Sequence, residues 1–455
     1  MKKNPLYRVM ISAIALATTC LATSSCTPRT QSATSTAQED EQLMLVGTYT
    51  DAGAEGIYSL RFNQQDASWQ LLDSAQLSNP SFLAIDSRRN LIYAVSENGG
   101  PTDALNLLSL NPATGAMQLL VSQLTQSAAP CYVSFGPSNT ATETSGNTAT
   151  NPSSPAAETS CSPATETSGS PATETPRMAV TANYTGGSLS LFPLDEQGHP
   201  QPLDTLFMGQ TNLHDPVRQE APHVHCAHFA PDGRYLFATD FSSDRLLRFR
   251  VQIEPQAASN TSDSQAENTT SEPQAASKAE TCKPSRLLCN PEVAATLPEG
   301  SGPRHLTFSP DARHAYLITE LSGMVHVFDY QPESGALTLK QSIETDSVHA
   351  RGSAHIQLSP DGRFLYATNR LEHEGVALFA VNPDNGLLTP AGYQLTGRHP
   401  RHFNLTPNGR YLLVACRDSH AIEIYLRNPD TGALTPTGKS IPLSKPVYVG
   451  WYNQE

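Results

Sequence analysis

The chain has no basic block. Asp and Glu (43) outnumber Lys and Arg (29), for a formal charge of −14 and a pI near 5.4. A nucleic-acid surface needs clustered Lys and Arg, so this balance argues against that class of partner. The apolar run at residues 9–22 is too short for a stable transmembrane helix. Beyond Cys26 no two cysteines stand in CxxC spacing, which argues against a zinc site. There is no G-x-S-x-G stretch, so a Ser/His/Asp nucleophile has no support. Almost no segment has helical periodicity. An acidic chain that binds an anion must do so through a local Arg/His cluster, which gives such clusters weight here.

At the N-terminus Lys2, Lys3 and Arg8 precede the apolar run, and Thr23-Ser24-Ser25 leads into Cys26. A basic start, a short apolar stretch and small residues make an export signal. Ending in Cys, it resembles a bacterial lipoprotein signal, in which Cys26 becomes the lipidated first residue. Thr23 stands where Leu is commoner, and Cys20 is a weaker competitor. The expectation is a signal over 1–25, a polar tether over 26–42 and a lipid-anchored place in the cell envelope; the alternative is an ordinary secretory signal cleaved nearby. Export would put Cys131, Cys161, Cys226, Cys282, Cys289 and Cys416 in an oxidising compartment. Cys282 and Cys289 are close enough in sequence to bridge within one loop.

What the chain does have is a repeated hairpin. Residues 302–320, GPRHLTFSPDARHAYLITE, alternate as two strands around a Pro310-Asp311-Ala312-Arg313 turn. The plan returns as SFLAIDSRRNLIYAVSE, CYVSFGPS, HCAHFAPDGRYLFATDF, AHIQLSPDGRFLYATNR and RHFNLTPNGRYLLVACR. The turns fall at Ser87, Pro137, Pro231, Pro310, Pro360 and Pro407, at spacings of 50, 94, 79, 50 and 47. A period near 50 made of strands and turns is a propeller signature. Two tracts, 139–176 and 255–284, rich in Ser, Thr, Ala, Glu and Gln, account for the long spacings and read as disordered loops. Third strands such as MVHVFDY and VALFAVN, then a turn and a fourth strand, complete each unit. Six copies are explicit. The seventh is split between LMLVGTYT and IYSLRFN near the start and PVYVGWYN at the end; pairing these would close the ring and remove its edges. The fold class is all-β, a seven-bladed β-propeller of four-stranded blades over 43–455, its N- and C-terminal strands sharing one blade.

In order along the chain, GTYT (47–50), NPSFLAID (79–86), ANYTGGS (182–188), PHVH (222–225), GPRHLTFSP (302–310), TELSG (319–323), SPDGRFLYATNR (359–370) and GRHPRHF (397–403) stand out. Together they resemble the lactonase seven-bladed propeller family, which includes bacterial 6-phosphogluconolactonases and fungal muconate cycloisomerases. The resemblance covers essentially all of 43–452 outside the two tracts.

Aligning the copies on their turns compares equivalent positions between blades. Six residues before the turn stand Ser81, Cys131, His225, Arg304, Ala354 and Arg401; ten after it stand Glu97, Phe241, Glu320, Arg370 and Arg417. A hairpin brings its two ends together, so Arg304 should sit beside Glu320. Innermost strands surround the propeller axis, so these charged side chains should ring one mouth of the channel.

Lactone hydrolysis needs a base, an oxyanion donor and a clamp for any anionic substituent. His225 suits the base because its unperturbed pKa lies near neutrality. Glu320, if raised by burial, could do the same or orient His225. Arg304 and Arg370 suit the clamp, since a guanidinium fork binds oxyanions bidentately. The resemblance implies the same group: His225, Arg304, Glu320 and Arg370 match the family's proposed His, Arg, Glu and Arg. Asn183, His223, Arg401 and Glu97 are candidates for substrate binding. The bland readings are a structural His225, an Arg304–Glu320 pair that only ties the hairpin rim, and solvated turn arginines at Arg234, Arg313, Arg363 and Arg410. HVHCAH lacks a carboxylate in register, so no metal and no cofactor are expected.

The function expected is an exported, monomeric lactonase acting by metal-free water attack on a small anionic sugar lactone. The resemblance implies 6-phosphogluconolactone as the default substrate, although a phosphorylated sugar intermediate belongs in the cytoplasm. The alternative is a non-enzymatic envelope propeller that binds a glycan, peptide or protein. A cycloisomerase is a weaker third reading. No set of carboxylates and Asn suggests a calcium-dependent propeller.

Overall fold

The computed structural model describes residues 40–136, 178–252, 288–349 and 351–452. The expected signal at 1–25, Cys26, and the tracts at 139–176 and 255–284 lie outside these, as do Cys161 and Cys282. The first strand begins at Glu41, inside the 26–42 span expected to be a tether, and residues 26–39 lie outside the described residues. The described residues form seven four-stranded antiparallel sheets, and their one helical turn is the 3-10 segment Arg417–Ser419.

Blade 1 joins Glu41–Thr48, Gly56–Asn63 and Trp69–Gln76 to the last strand, Pro446–Tyr452, which pairs antiparallel with the first (Leu45 opposite Gly450, Val46 opposite Val449). Blades 2 to 7 follow in chain order, with innermost strands Leu83–Asp86, Pro130–Gly136, Val224–Phe229, Pro303–Phe308, Ser353–Leu358 and Pro400–Leu405. Each innermost strand packs on the next, and Pro446–Tyr452 packs on both Pro400–Leu405 and Leu83–Asp86, which closes the ring. Closure by the chain's two ends removes exposed edges at the axis.

Much of the hydrophobic core lies between blades, where the alternating faces of neighbouring sheets meet. Phe62 and Trp451 of blade 1 pack against Tyr411 and Leu413 of blade 7, and Phe237 of blade 4 meets Phe308 of blade 5. The turns that set the repeat are internally bonded: Ser309 Oγ donates to Asp311 at 2.6 Å, and Ser359 repeats the contact with Asp361. Arg313 and Arg363 donate to backbone carbonyls at Pro383, Pro429 and Asp430. These two turn arginines are structural ties between blades.

Candidate active site

The mouth is shaped by a repeated irregularity. In blades 3 to 7 the innermost strand slips register against the second: between Pro130 and Tyr132, Val224 and Cys226, Pro303 and His305, Ser353 and Ile356, and Pro400 and His402. A β-bulge leaves a residue unpaired and re-aims side chains. The residues released include Cys131, His225, Arg304, Ala354 and Arg401, the positions picked out by aligning the turns. At blade 5 the bulge lets the consecutive side chains of Arg304 and His305 both enter the channel, which strict strand alternation forbids.

Glu320 directly follows the second strand of blade 5, His314–Thr319. Its Oε2 accepts from Arg304 Nε at 3.0 Å and from Arg370 Nη2 at 2.6 Å; its Oε1 accepts from Arg218 Nη2 at 2.6 Å. Arg304 is 1 % exposed, the largest fully buried side chain among the described residues. Burial alone would raise the Glu320 carboxyl, but Arg370, Arg304 and Arg218 outweigh it and hold it well below the usual carboxylate range. The expectation of a burial-raised Glu320 acting as base is therefore corrected: it is an anion locked among guanidiniums. Burial and the neighbouring Arg370 push Arg304 down to about 9, still a cation at neutral pH. Arg370 is fixed further by its Nε, which donates to Gly352 O at 2.8 Å. Among the described residues, Arg304 Nη2 and Arg370 Nη1 have no hydrogen-bond partner.

A second pair lies beside this cluster. Glu97 Oε2 accepts from Tyr49 OH at 2.9 Å and from Arg401 Nη2 at 3.4 Å, and the Arg401 guanidinium lies over the Tyr49 ring at 5.3 Å. Burial opposes the charge on Arg401, but Tyr49 and Glu97 win and hold its pKa above the ordinary value.

His225 is buried, and burial first, then Arg304, depresses its pKa well below the histidine range. It is a neutral imidazole at pH 7. Its Nδ1 is buried without a hydrogen-bond partner among the described residues, and its ring meets Tyr184 at 5.5 Å and His305 at 5.1 Å.

One residue further along each innermost strand, a layer closes the channel. Phe82 touches Tyr132 (4.1 Å), His305 (5.9 Å), His402 (5.7 Å) and Tyr448 (4.9 Å), spanning the axis. His355 completes the disk, stacking on His402 at 3.9 Å. The mouth is thus a pocket with an aromatic and imidazole floor.

The structure brings His225, Arg304, Glu320 and Arg370 together, with Arg401 and Glu97 paired beside them. Asn183 does not join them. It is fully buried, and its amide is engaged by Thr181, Ser188 and Ser190 inside blade 3. His223 is half-buried, bonds Ala221 O and Ser242 Oγ through Nδ1, and packs at a tilt against Tyr184 at 4.3 Å. Arg417 turns away to pair with Asp418.

Sequence reasoning missed Arg218, Tyr184 and the floor histidines. Arg218 lies in 209–223, the longest connector between described blades and outside the repeat, which is the signal that could have found it. The connector and Glu320 border a cleft of about 420 Å³ with Arg351 on its far side. Among the described residues no three His, Cys, Asp or Glu side chains converge to hold a metal ion.

An all-β propeller with a buried Arg/Glu cluster in one mouth defines a class, and comparisons narrow it. The chain matches the family described as lactonase, 7-bladed beta-propeller, over residues 43–144, 139–272 and 279–451. It is 26 % identical over 416 residues to the 6-phosphogluconolactonase of Bacillus subtilis, covering 90 % of this chain and 98 % of that protein. A solved Bacteroides uniformis structure, provisionally called a 6-phosphogluconolactonase, is 42 % identical with a TM-score of 0.72, covering 90 % of this chain and 99 % of the other. The periplasmic gluconolactonase of Pseudomonas aeruginosa is 28 % identical, TM-score 0.71, over 90 % of this chain and 99 % of that one. The chain belongs to the lactonase seven-bladed β-propeller family, with relatives named 6-phosphogluconolactonase and gluconolactonase.

Proposed function

We propose that this chain is an exported lactonase, anchored through Cys26, that opens a small sugar lactone in the Arg/Glu/His mouth. The observation that carries this reading is the Glu320 carboxylate shared by three guanidiniums beside a neutral, partner-poor imidazole. Among the described residues, the two deeply buried guanidiniums keep an unengaged N–H at Arg304 Nη2 and Arg370 Nη1. In the proposed step, water adds to the lactone carbonyl carbon while His225 accepts its proton. The carbonyl oxygen becomes an oxyanion held by Arg304 and Arg370. The ring C–O bond then breaks, the leaving oxygen takes the proton back from the imidazolium, and the hydroxy acid departs. Glu320 keeps the guanidiniums oriented and offsets their charge; it does not carry the proton.

Similarity to a periplasmic gluconolactonase and the signal-like N-terminus support the exported placement. The substrate read as default is 6-phosphogluconolactone, with the unphosphorylated lactone as its competitor. The test is hydrolysis of both freshly made lactones by protein lacking residues 1–39, with EDTA present and Arg304→Ala and His225→Ala alongside. Turnover that survives EDTA and collapses in both variants supports the reading. No rate above spontaneous hydrolysis on either lactone would sink it.

A further inference from the structure

We propose that His305, backed by His355, is a positioning residue for Arg304. The two imidazoles form a one-directional hydrogen-bond chain from the guanidinium into the channel floor. The direction follows from donor chemistry. Arg304 Nη1 lies 3.3 Å from His305 Nε2, and a guanidinium has no acceptor. His305 Nε2 must therefore be bare, with the ring proton on Nδ1. That Nδ1 lies 3.0 Å from His355 Nδ1, which must then accept, leaving His355 protonated on Nε2.

The chain ends on a rigid support. His355 stacks on His402, and His402 Nδ1 accepts from the backbone N–H of Val449 at 3.4 Å. The other groups around His305 are His225, Tyr132 and Phe82, and it makes no described contact with a carboxylate. Arg304 is thus gripped at two points. Its Nε is held by Glu320, and its Nη1 by His305 and by Ala354 O. Without the imidazole, the Nη1 side keeps only the Ala354 carbonyl and the guanidinium is aimed less tightly. Neither His305 nor His355 stands where aligned turns would find it, because the bulge at Arg304 is what turns His305 inward.

The kinetic test rests on the lactonase reading. His305→Phe keeps the ring and removes the acceptor. Losing a hydrogen bond to a charged group lowers kcat by about ten- to a hundredfold. KM should stay within about threefold, since the defect lies in aiming a transition-state contact. His305→Gln, which restores an acceptor, should recover part of that loss. A His305→Phe enzyme within twofold of wild-type kcat, or a Gln variant no better than Phe, overturns the proposal. A second test needs neither substrate nor variant folding. In 15N-histidine-labelled wild-type protein, His305 should show a protonated Nδ1 and bare Nε2, and His355 the reverse; the opposite tautomers overturn the chain. If no lactone is turned over, the function reading fails while the tautomers still decide this one.

Discussion

At Glu320 one carboxylate pairs with two deeply buried guanidiniums and one at the rim. Removing its charge leaves Arg304 and Arg370 buried with like charges facing. Glu320→Gln should therefore cost about 3–5 kcal/mol of stability as well as turnover. Arg218 is 38 % exposed, so Arg218→Ala should cost about 1 kcal/mol or less. Thermal unfolding of the two variants side by side checks this; equal losses would mean the pairs are not ranked by burial. Asn183→Ala tests the opposite case. Its amide is used inside blade 3, so the expected result is a stability loss of about 1–3 kcal/mol with KM unchanged. A raised KM at full stability would return Asn183 to the substrate. The neighbourhood of Arg304 and Glu320 was legible in the sequence, because hairpin ends converge. The role of Glu320 was not, since its ionisation depends on Arg370 from the next blade and Arg218 from a connector.

Between elements, the connector carrying Arg218 is tied not only to Glu320 but also by the buried Asp244 carboxylate. Asp244 accepts from the backbone N–H groups of Gly300 and Gly302 at 2.8 Å, from Gln219 Nε2 at 2.9 Å and from Asn212 Nδ2 at 2.7 Å. Asp103 does the same in blade 2, accepting from the N–H groups of Asn98, Gly99, Gly100 and Ala129. Asp244→Ala would orphan four donors and leave residues 209–223 tied to blade 5 chiefly through Arg218 and Glu320. The outcome expected is a lower Tm, a higher KM and faster amide exchange confined to 209–223 and 297–302. Uniform exchange across all blades would place the clip's role in global stability instead. The repeat, the turns and the four-strand unit were readable from spacing. These clips were not, because their partners sit in loops with no shared pattern and meet only when blades are assembled.

Across the whole molecule, ring closure and the neutral floor set how the protein fails. Chiefly through burial, His225, His305 and His402 lie well below the histidine range, His228 at about 4 and His355 at about 3. Below pH 6.5 the unfolded chain binds these protons and the folded chain does not. Stability present above 6.5 is therefore lost as pH falls, at up to about 1.4 kcal/mol per pH unit for each histidine. Asp240, raised by burial to about 6, works the other way as a single group. Tm should be nearly flat from pH 7 to 8 and fall steeply from 6.5 to 4.5; a flat profile down to 4.5 would contradict a buried neutral floor. Deleting Pro446–Tyr452 should abolish soluble folded protein, since it opens the ring and removes Tyr448 from the floor and Trp451 from the core between blades 1 and 7.

By itself the sequence determined the blade count, the four-strand unit, the shared blade and the hairpin ends that carry His225, Arg304, Glu320 and Arg370. All of these follow from periodicity and turn chemistry, which are local. Only the tertiary structure decided which charges are neutralised and which histidines face the axis. Ionisation and burial are set by neighbours about 50 to 100 residues away, and a one-residue bulge reverses the inward and outward sense that alternation predicts.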